Sequence, residues 1–262
     1  MRLRQKIIYK SAREIEKMRE AGRVVGRILE LMGEMAAEGV STRELDDAAR
    51  EVGLNSGGKM SFYKYPISGI SYPFPGNICA SIDEQVVHGI PGDRKLKNGE
   101  IISIDVGVFL NGYHGDAART FAVGEIDEEK RLLIEVTRNS LEAAIAAAKP
   151  NGKLSDISAA VQNTVESKGF SIVKDYVGHG IGQKLHEPPQ VPNFVMPNVM
   201  WADVTLKPGM TIAIEPMVNA GTWQVEKMAN EWTVITKDRR PSAHFENTIA
   251  ITEEGAIILT VP

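Results

Sequence analysis

The sequence predicts an α+β fold of two similar halves, with a shared antiparallel sheet inside and helices outside. Three observations lead to this fold class: capping boxes that open helices, a strong β-hairpin signal, and an internal repeat of acid-bearing strands. The halves cover about 11–124 and 125–262. At 262 residues the chain is long enough for one large domain, and we expect a single catalytic domain over 1–262.

Composition excludes several classes of function. The 30 basic and 34 acidic side chains give a net charge of −4, so bulk charge attracts neither nucleic acid nor an anionic membrane. Cys79 is the single cysteine, which excludes an intramolecular disulfide and fits a reducing compartment. The charged N-terminus lacks the apolar run of a signal peptide, and no stretch is apolar enough for a membrane span. We therefore expect a soluble, cytoplasmic monomer.

Four helices are predicted from their caps. Ser11-Ala-Arg-Glu14 and Ser41-Thr-Arg-Glu44 are capping boxes, and apolar residues follow each at helical spacing. Asp127 caps a third helix, which Pro150-Asn-Gly ends, and a fourth covers about 154–167. Between the second helix and the first strand, 57–76 is rich in Gly, Pro, Ser and aromatic residues. This composition predicts a surface loop, and loops of this length are often functional.

The segment 101–120 is predicted to form a β-hairpin. Asn111-Gly112 is typical of a type I′ turn, because both central residues of that turn need positive φ. Five apolar residues alternate onto a core face: Ile102, Ile104, Val106, Val108 and Leu110. A two-residue loop then makes Asp105 and Asp116 diagonal neighbours on the other face, about 7–8 Å apart at the backbone. The alternative is two ordinary, solvated strand acids.

Further strands are predicted in four segments: 78–87, 211–218, 224–234 and 245–260. Within them an internal repeat appears, because two segments share the frame L-K-x-G-x-x-I-x-I-acid: 96–105 and 206–215. Asp105 therefore matches Glu215. In the same order, Asp116 matches Glu246, and His88-Gly matches His179-Gly. Three ordered matches indicate a pseudo-twofold relation that brings both pairs of acids to one site.

Four clustered carboxylates need positive charge, because a buried acid costs several kcal/mol unless it is paired or binds a metal. A buried salt bridge is the alternative, with Arg119, Lys207 or Lys227 as the cation. One guanidinium cannot neutralise four acids, whereas metal ions can. Carboxylates with one imidazole form an oxygen-rich site of the kind that Mn²⁺, Fe²⁺ or Co²⁺ uses, with Zn²⁺ as a further candidate.

Histidines complete the candidate site. The glycines around His179 and the second histidine in His186-Glu-Pro-Pro favour a functional role for both. His114 is expected to point off the acid face, and His244 to lie near the site without acting as a ligand. Cys79 has no basic neighbour to lower its pKa, so we expect a pocket residue and not a nucleophile. The sequence contains no G-x-S-x-G motif, P-loop or dinucleotide fingerprint.

Five motifs in order resemble the type I methionine aminopeptidases: VVHGIPG, SIDVG with HGDAART, VGHGIGQKLHEPP, IAIEPM and FENTIAIT. The match covers nearly the whole chain. It implies the pita-bread fold, with a central curved antiparallel sheet and outer helices. It also implies a hydrolase, a metalloprotease of the aminopeptidase class that removes the N-terminal methionine from nascent proteins when the second residue is small. The ribosome is an expected partner, and no nucleic acid is bound directly.

The resemblance also implies roles for individual residues. The ligands of a dinuclear metal site, occupied by Mn, Fe, Co or Zn, would be Asp105, Asp116, His179, Glu215 and Glu246. The catalytic residues would be His88, His186 and Glu215. The methionine pocket would use Tyr65, Phe74, Cys79, Leu185 and Trp232. A loop for one Na⁺ or K⁺ ion would involve Asp83, Gln85 and Ser242.

The sequence departs from the family pattern at two places. Additional residues separate Tyr65 from Phe74, where short members have about two, and Asp83 stands where asparagine is usual. Two rival functions stay open at this point. One is an X-Pro aminopeptidase or prolidase of the same fold, a group that usually carries an extra N-terminal domain. The other is a non-catalytic binding module, which would be expected to lose metal ligands.

Overall fold

A computed structural model describes residues 6–195 and 203–262. The helices are α1 (Ala12–Met35), α2 (Thr42–Asn55), α3 (Glu128–Ala147) and α4 (Leu154–Glu166). The first strands are β1 (Lys59–Met60), β2 (Cys79–Ile82), β3 (Gln85–Val87), β4 (Ile101–Leu110) and β5 (Tyr113–Ala122). The later strands are β6 (Ser171–Ile172), β7 (Gly178–Gly180), β8 (Glu187–Val191), β9 (Thr211–Ile214), β10 (Met217–Asn219), β11 (Val225–Lys227), β12 (Val234–Thr236), β13 (Ser242–His244), β14 (Glu246–Ile251) and β15 (Ala256–Ile258). None of the helices in the described ranges is long and apolar enough to cross a membrane.

The predicted caps begin the helices. The Glu14 carboxylate accepts from the Ser11 backbone N–H at 2.8 Å, and Ser11 Oγ accepts from the Glu14 N–H. Ser41 and Glu44 repeat this arrangement at α2. The Asp127 carboxylate accepts from the Lys130 N–H at 2.8 Å at the start of α3. These bonds satisfy N–H groups that have no partner within the helix, so local sequence fixes where the helices begin.

The β4–β5 hairpin has the predicted register. Leu110 lies opposite Tyr113, and Asp105 lies opposite Ala118. The turn residues Asn111 and Gly112 have φ values of 51° and 88°, as a type I′ turn requires. The hairpin is part of a nine-stranded sheet with the path β1-β4-β5-β14-β9-β7-β8, to which β2 adds on β4 and β15 on β14.

A pair of helices covers the outer face of the sheet in each half. On the apolar face of β4, Ile102, Ile104, Val106 and Val108 are fully buried in one cluster with α1 and α2, and Leu110 is partly buried against it. The second cluster joins α3 and α4 to β9 and β14. The strand order β4-β5-β14-β9 is symmetric about the contact between β5 and β14, as the pseudo-twofold prediction requires. The exact extents of the halves, 11–124 and 125–262, stay a prediction.

Several predicted strands are interrupted. The 78–87 segment contains two strands, β2 and β3, which belong to different sheets and are separated by a turn at Asp83, where φ is 49°. The 211–218 run ends at Ile214, because Pro216 has no N–H for the ladder, and β10 joins a separate sheet with β13 and β6. Likewise, 224–234 and 245–260 each contain two strands.

The two His-Gly segments of the repeat do not occupy equivalent positions in the fold. His179 lies in β7, which pairs with β9. The equivalent partner of β4 is β2, whereas His88 follows β3 in a different sheet. The acid-bearing strands are therefore the true repeat, and the resemblance between the two His-Gly segments is local.

Candidate metal centre

The five predicted metal ligands line one cavity of about 250 Å³ on the inner face of the sheet. Both predicted catalytic histidines line it as well, together with all five predicted pocket residues. The structure thus brings together residues from β2, β4, β5, β7, β14 and the segments between strands. Asp83, Gln85 and Ser242 lie outside the lining of this cavity.

Register across four strands positions the acids. Cys79 lies opposite Asp105, Asp105 opposite Ala118, and Ala118 opposite Glu246. Residues directly opposite share a face of the sheet, so this row places two carboxylates on the inner face with only a methyl group between them. Asp116 lies two residues before Ala118 on the same face. The diagonal relation predicted for the two aspartates therefore follows from the observed register.

His179 lies among the acids. Its Nε2 is 3.7 Å from a carboxylate oxygen of Glu215 and 3.9 Å from one of Asp116. Asp116, His179 and Glu246 each offer one ligand atom, and these atoms lie within 4.8 Å of one another. His179 Nδ1 donates to the Gly180 carbonyl at 2.9 Å. That bond leaves Nε2 directed at the acids with its lone pair free, which is the usual arrangement of a metal-binding imidazole.

Asp116 and Glu246 are buried, Asp105 and Glu215 are largely buried, and no cationic side chain of the described residues neutralises them. Among the residues that the structure describes, three of their oxygens have no hydrogen-bond partner: Asp105 Oδ1, Asp116 Oδ1 and Glu246 Oε1. No ion pair within the described ranges joins any of the four carboxylates to lysine or arginine, so the predicted alternative of a salt bridge with Arg119, Lys207 or Lys227 is not observed. Buried carboxylates without partners are costly, and a bound cation would satisfy all of them at once.

The pKa values of these groups are shifted by burial and by the crowding of the acids. Burial raises the pKa of the Asp105 carboxyl to about 7. Burial and neighbouring carboxylates raise the pKa values of Asp116, Glu215 and Glu246 well above their usual range. Burial lowers the pKa of His179 to about 3, so its ring is neutral near pH 7. A neutral imidazole with carboxylates is a donor set that suits a first-row divalent ion.

Two further histidines flank the acids. The ring of His186 lies against that of His179, with centroids 4.3 Å apart, and its Nδ1 is 2.7 Å from the Tyr65 hydroxyl. His88 has a φ of 59°, a strained conformation for a residue with a side chain, and its ring meets Trp232 edge-on at 6.2 Å. Burial lowers the pKa of His88 to about 4. Both rings are therefore neutral near neutral pH and can each donate and accept a hydrogen bond.

An apolar pocket adjoins the acids. Phe74 and Trp232 meet edge-to-face with centroids 5.1 Å apart, and they belong to one buried cluster with Cys79 and Leu185. Burial raises the pKa of the Cys79 thiol, which keeps it protonated and unreactive. Tyr65 is only partly buried beside this cluster. The cavity thus combines an apolar wall with an acidic, histidine-bearing wall.

Some residues that lie close to the acids were not predicted to be ligands or pocket residues. His244 was expected near the site, and its buried Nε2 lies 3.8 Å from a Glu215 oxygen with no hydrogen-bond partner. Tyr176 and Met217 line the cavity but were not predicted to do so. Met217 lies two residues after Glu215, so strand alternation was a usable signal. No pattern in the sequence distinguishes Tyr176.

In the loop expected to bind a monovalent ion, the side chains of Asp83, Gln85 and Ser242 already have hydrogen-bond or ion-pair partners. The Asp83 carboxylate accepts from the Ile101 N–H at 3.0 Å and lies 2.8 Å from Lys130 Nζ. Gln85 accepts from the Ile82 N–H. Ser242 Oγ donates to neighbouring acceptors, while the Ser242 N–H donates to the Asp83 carbonyl at 2.8 Å.

Known proteins share this arrangement of motifs and fold. The sequence model of metallopeptidase family M24 matches residues 16–253. Methionine aminopeptidase 1 of Bacillus subtilis is 51% identical, over 97% of this chain and 99% of its own length. The solved methionine aminopeptidase of Thermotoga maritima has a TM-score of 0.92 and 43% identity, over 98% of this chain and 100% of that one.

A prolidase of Pyrococcus furiosus has the same fold, with a TM-score of 0.72 at 24% identity, and this chain covers 66% of its length. These likenesses confirm the pita-bread fold and the resemblance to type I methionine aminopeptidases. The full-length match to enzymes at high identity also argues against a non-catalytic binding module. The chain belongs to metallopeptidase family M24.

Proposed function

We propose that this chain is a methionyl aminopeptidase, which removes the N-terminal methionine from polypeptides whose second residue is small. The observation that carries the proposal is the cavity itself, where an apolar pocket adjoins four buried or largely buried carboxylates with which no lysine or arginine of the described residues pairs. The pocket suits an unbranched, apolar side chain such as methionine. The likeness to proteins named methionine aminopeptidases supports the same substrate.

Two divalent ions of Mn, Fe, Co or Zn would be held by five residues: Asp105, Asp116, His179, Glu215 and Glu246. The unpartnered oxygens of Asp105, Asp116 and Glu246 support this assignment, because a buried carboxylate oxygen is costly unless a cation or a hydrogen-bond donor satisfies it. Such ions, when bound, supply the positive charge that acidifies water and polarises a carbonyl group. The choice among the four metals rests on the oxygen-rich donor set and is part of the proposal.

Side chains of this protein carry out the other steps of the proposed reaction, which are substrate positioning, proton transfer and stabilisation of the intermediate. The apolar pocket holds the methionine side chain and orients the first peptide bond towards the acids. The Glu215 carboxylate takes the proton from the attacking water and passes it to the leaving amine. His88 and His186 hydrogen-bond to the peptide and stabilise the tetrahedral intermediate, and their neutral rings near pH 7 suit both donation and acceptance.

Newly made N termini are the proposed substrates, which places the activity in the cytoplasm, close to the ribosome, with the chain acting as a monomer. A Na⁺ or K⁺ ion at the turn of Asp83 and Gln85, near Ser242, would bind through backbone carbonyl oxygens. The three side chains already have other partners, and the Asp83 carbonyl, which accepts from the Ser242 N–H, keeps a second lone pair for such an ion.

The test is release of free methionine from Met-Ala-Ser by the purified full-length protein. The protein is first treated with chelator and then reloaded anaerobically with each of the four metals. We expect methionine release only after reloading, and no release by an Asp105→Ala variant. An X-Pro peptide serves as the competing substrate. Faster cleavage before proline, or full activity with chelator present, would contradict the proposal.

A further inference from the structure

The loop 66–73 lies at the open end of the cavity. Its residue Ile67 lines the cavity and is 38% exposed, whereas Phe74 in the same cavity is 2% exposed. Ile67 is therefore at the rim, where the pocket meets solvent. On the same rim, Tyr65 contacts His186. This loop contains the additional residues by which the sequence departs from short family members.

Backbone hydrogen bonds close the base of the loop. The Phe74 N–H donates to the Tyr65 carbonyl at 3.0 Å, and the Lys64 N–H donates to the Phe74 carbonyl at 2.9 Å. Within the loop, the Ile70 N–H donates to the Ile67 carbonyl at 3.2 Å. Side chains of the loop also contribute to the pocket cluster, in which Ile70 is partly buried. The loop is thus a folded element with a fixed base.

The tip of the loop is attached to the turn that precedes Trp232. Both the N–H and the hydroxyl of Ser71 donate to one oxygen of Glu231, at 2.8 and 2.5 Å. The Tyr72 hydroxyl donates to the Asn230 carbonyl at 2.6 Å, and the Trp232 indole donates to the Tyr72 carbonyl at 3.2 Å. The bonds from Ser71 hold the pKa of Glu231 below its usual value, so the acceptor stays charged. Base and tip together hold Ile67 in one place.

A substrate cut after its first residue must leave the cavity across this rim. The first side chain fills the buried pocket, so the second residue lies at the mouth. An apolar, β-branched side chain at that position would form a stiff wall, which would favour a small second residue over a large one.

We infer that the loop 66–73 is a specificity-determining wall, in which Ile67 limits the size of the substrate's second residue and the contacts of Ser71 and Tyr72 hold that wall in place. This inference rests on the proposed aminopeptidase function and adds a residue that sets its selectivity.

The test compares kcat/KM for Met-Leu-Ser with that for Met-Ala-Ser, using full-length, metal-loaded protein. In Ile67→Ala we expect the Leu/Ala ratio to rise about tenfold, because one apolar side chain in a pocket discriminates on this order. Ser71→Ala removes one of the two bonds to Glu231 and should raise the same ratio by a smaller factor, about threefold. The matched control is Ser68→Ala, an exposed position in the same loop that does not line the cavity, and its ratio should stay within about twofold of wild type.

The outcomes of this experiment distinguish failure of the inference about Ile67 from failure of the proposed aminopeptidase function. An active wild-type protein with an unchanged ratio in Ile67→Ala overturns the inference alone. A shift of equal size in Ser68→Ala also overturns it, because the effect would then belong to the loop in general. A metal-loaded wild type that releases methionine from neither peptide contradicts the proposed function, and the inference fails with it.

Discussion

Lys10 Nζ lies 2.6 Å from a carboxylate oxygen of Glu187, and the side chain of each is 3% exposed. This ion pair joins the segment before α1 to the residue that follows His186. The other oxygen of Glu187 accepts from the Lys184 N–H at 3.1 Å. A Cβ at Gly182 would lie 2.5 Å from Lys10 Cε, so the last glycine of the Gly-His-Gly-Ile-Gly motif gives the ion pair its space. The loop that carries His186 is therefore anchored from the interior.

Loss of Lys10 should destabilise the protein strongly. Lys10→Met keeps the length of the side chain but leaves the Glu187 carboxylate buried without its counter-charge, which typically costs about 3–5 kcal/mol. Urea unfolding at pH 7 measures the change. The matched control is Arg43→Met, which breaks an exposed pair with Asp93 and should leave the free energy of unfolding nearly unchanged. Equal losses of unfolding free energy in both variants would show that burial does not increase the contribution of the Lys10–Glu187 pair to stability.

Metal binding should stabilise the protein by mass action. Metal-free protein carries four crowded carboxylates, and a cation that binds only the folded state adds about 2.7 kcal/mol at a hundredfold excess over its dissociation constant. Chelator should therefore lower Tm, and Mn²⁺ or Co²⁺ should restore it. Calorimetry of the wild type and of Asp105→Ala measures this. A Tm that is unaffected by chelator in protein shown to contain metal would refute the prediction.

Neutralising one of the acids should raise the stability of the metal-free protein and lower that of the metal-bound protein. Asp116→Asn replaces a carboxyl group whose ionised form is disfavoured by burial and by the charges of Glu246 and Asp105, so the metal-free variant should be more stable than metal-free wild type. With metal present the order should reverse, and kcat/KM should fall at least about a hundredfold. Thermal unfolding under both conditions is the measurement. Destabilisation of the variant in chelator would mean that repulsion among the acids is unimportant.

The capping box of α1 should add acid-dependent stability. Hydrogen bonds from Ser11 lower the pKa of Glu14 from 4.5 to about 2. Because the folded pKa lies below the unfolded value, this stability is present above about pH 4.5 and is lost as pH falls towards 2. Glu14 is only partly buried, so solvent weakens the effect, which should stay below about 1 kcal/mol. The difference in unfolding free energy between wild type and Glu14→Gln should shrink between pH 5 and pH 3. A constant difference would contradict this.

Local signals account for most of what the sequence could predict. Asn111-Gly112 fixes a two-residue turn, and alternation along β4 fixes its faces, so the relation of Asp105 to Asp116 could be obtained from twenty residues. The capping boxes fixed the helix starts for the same reason. The resemblance to a known family then supplied the grouping of the remaining site residues, which the cavity brings together.

What could not be predicted depends on contacts between distant residues. Ser71 and Glu231 are 160 positions apart, and no local pattern announces their hydrogen bonds. The same holds for Lys130, which engages Asp83 from another element. The interruption after Ile214 was foreseeable from Pro216, but the transfer of β10 to a separate sheet was not.

The row Cys79, Asp105, Ala118 and Glu246 has a consequence for metal selectivity. Asp105 and Glu246 lie two strand spacings apart, which is about 10 Å at the backbone. Their separation is therefore set by main-chain hydrogen bonds, and the packing of the outer helices has little influence on it. Substitutions in either helical core should therefore lower stability without changing which ion the proposed metal site prefers. A change of strand register, in contrast, would alter the coordination geometry at once.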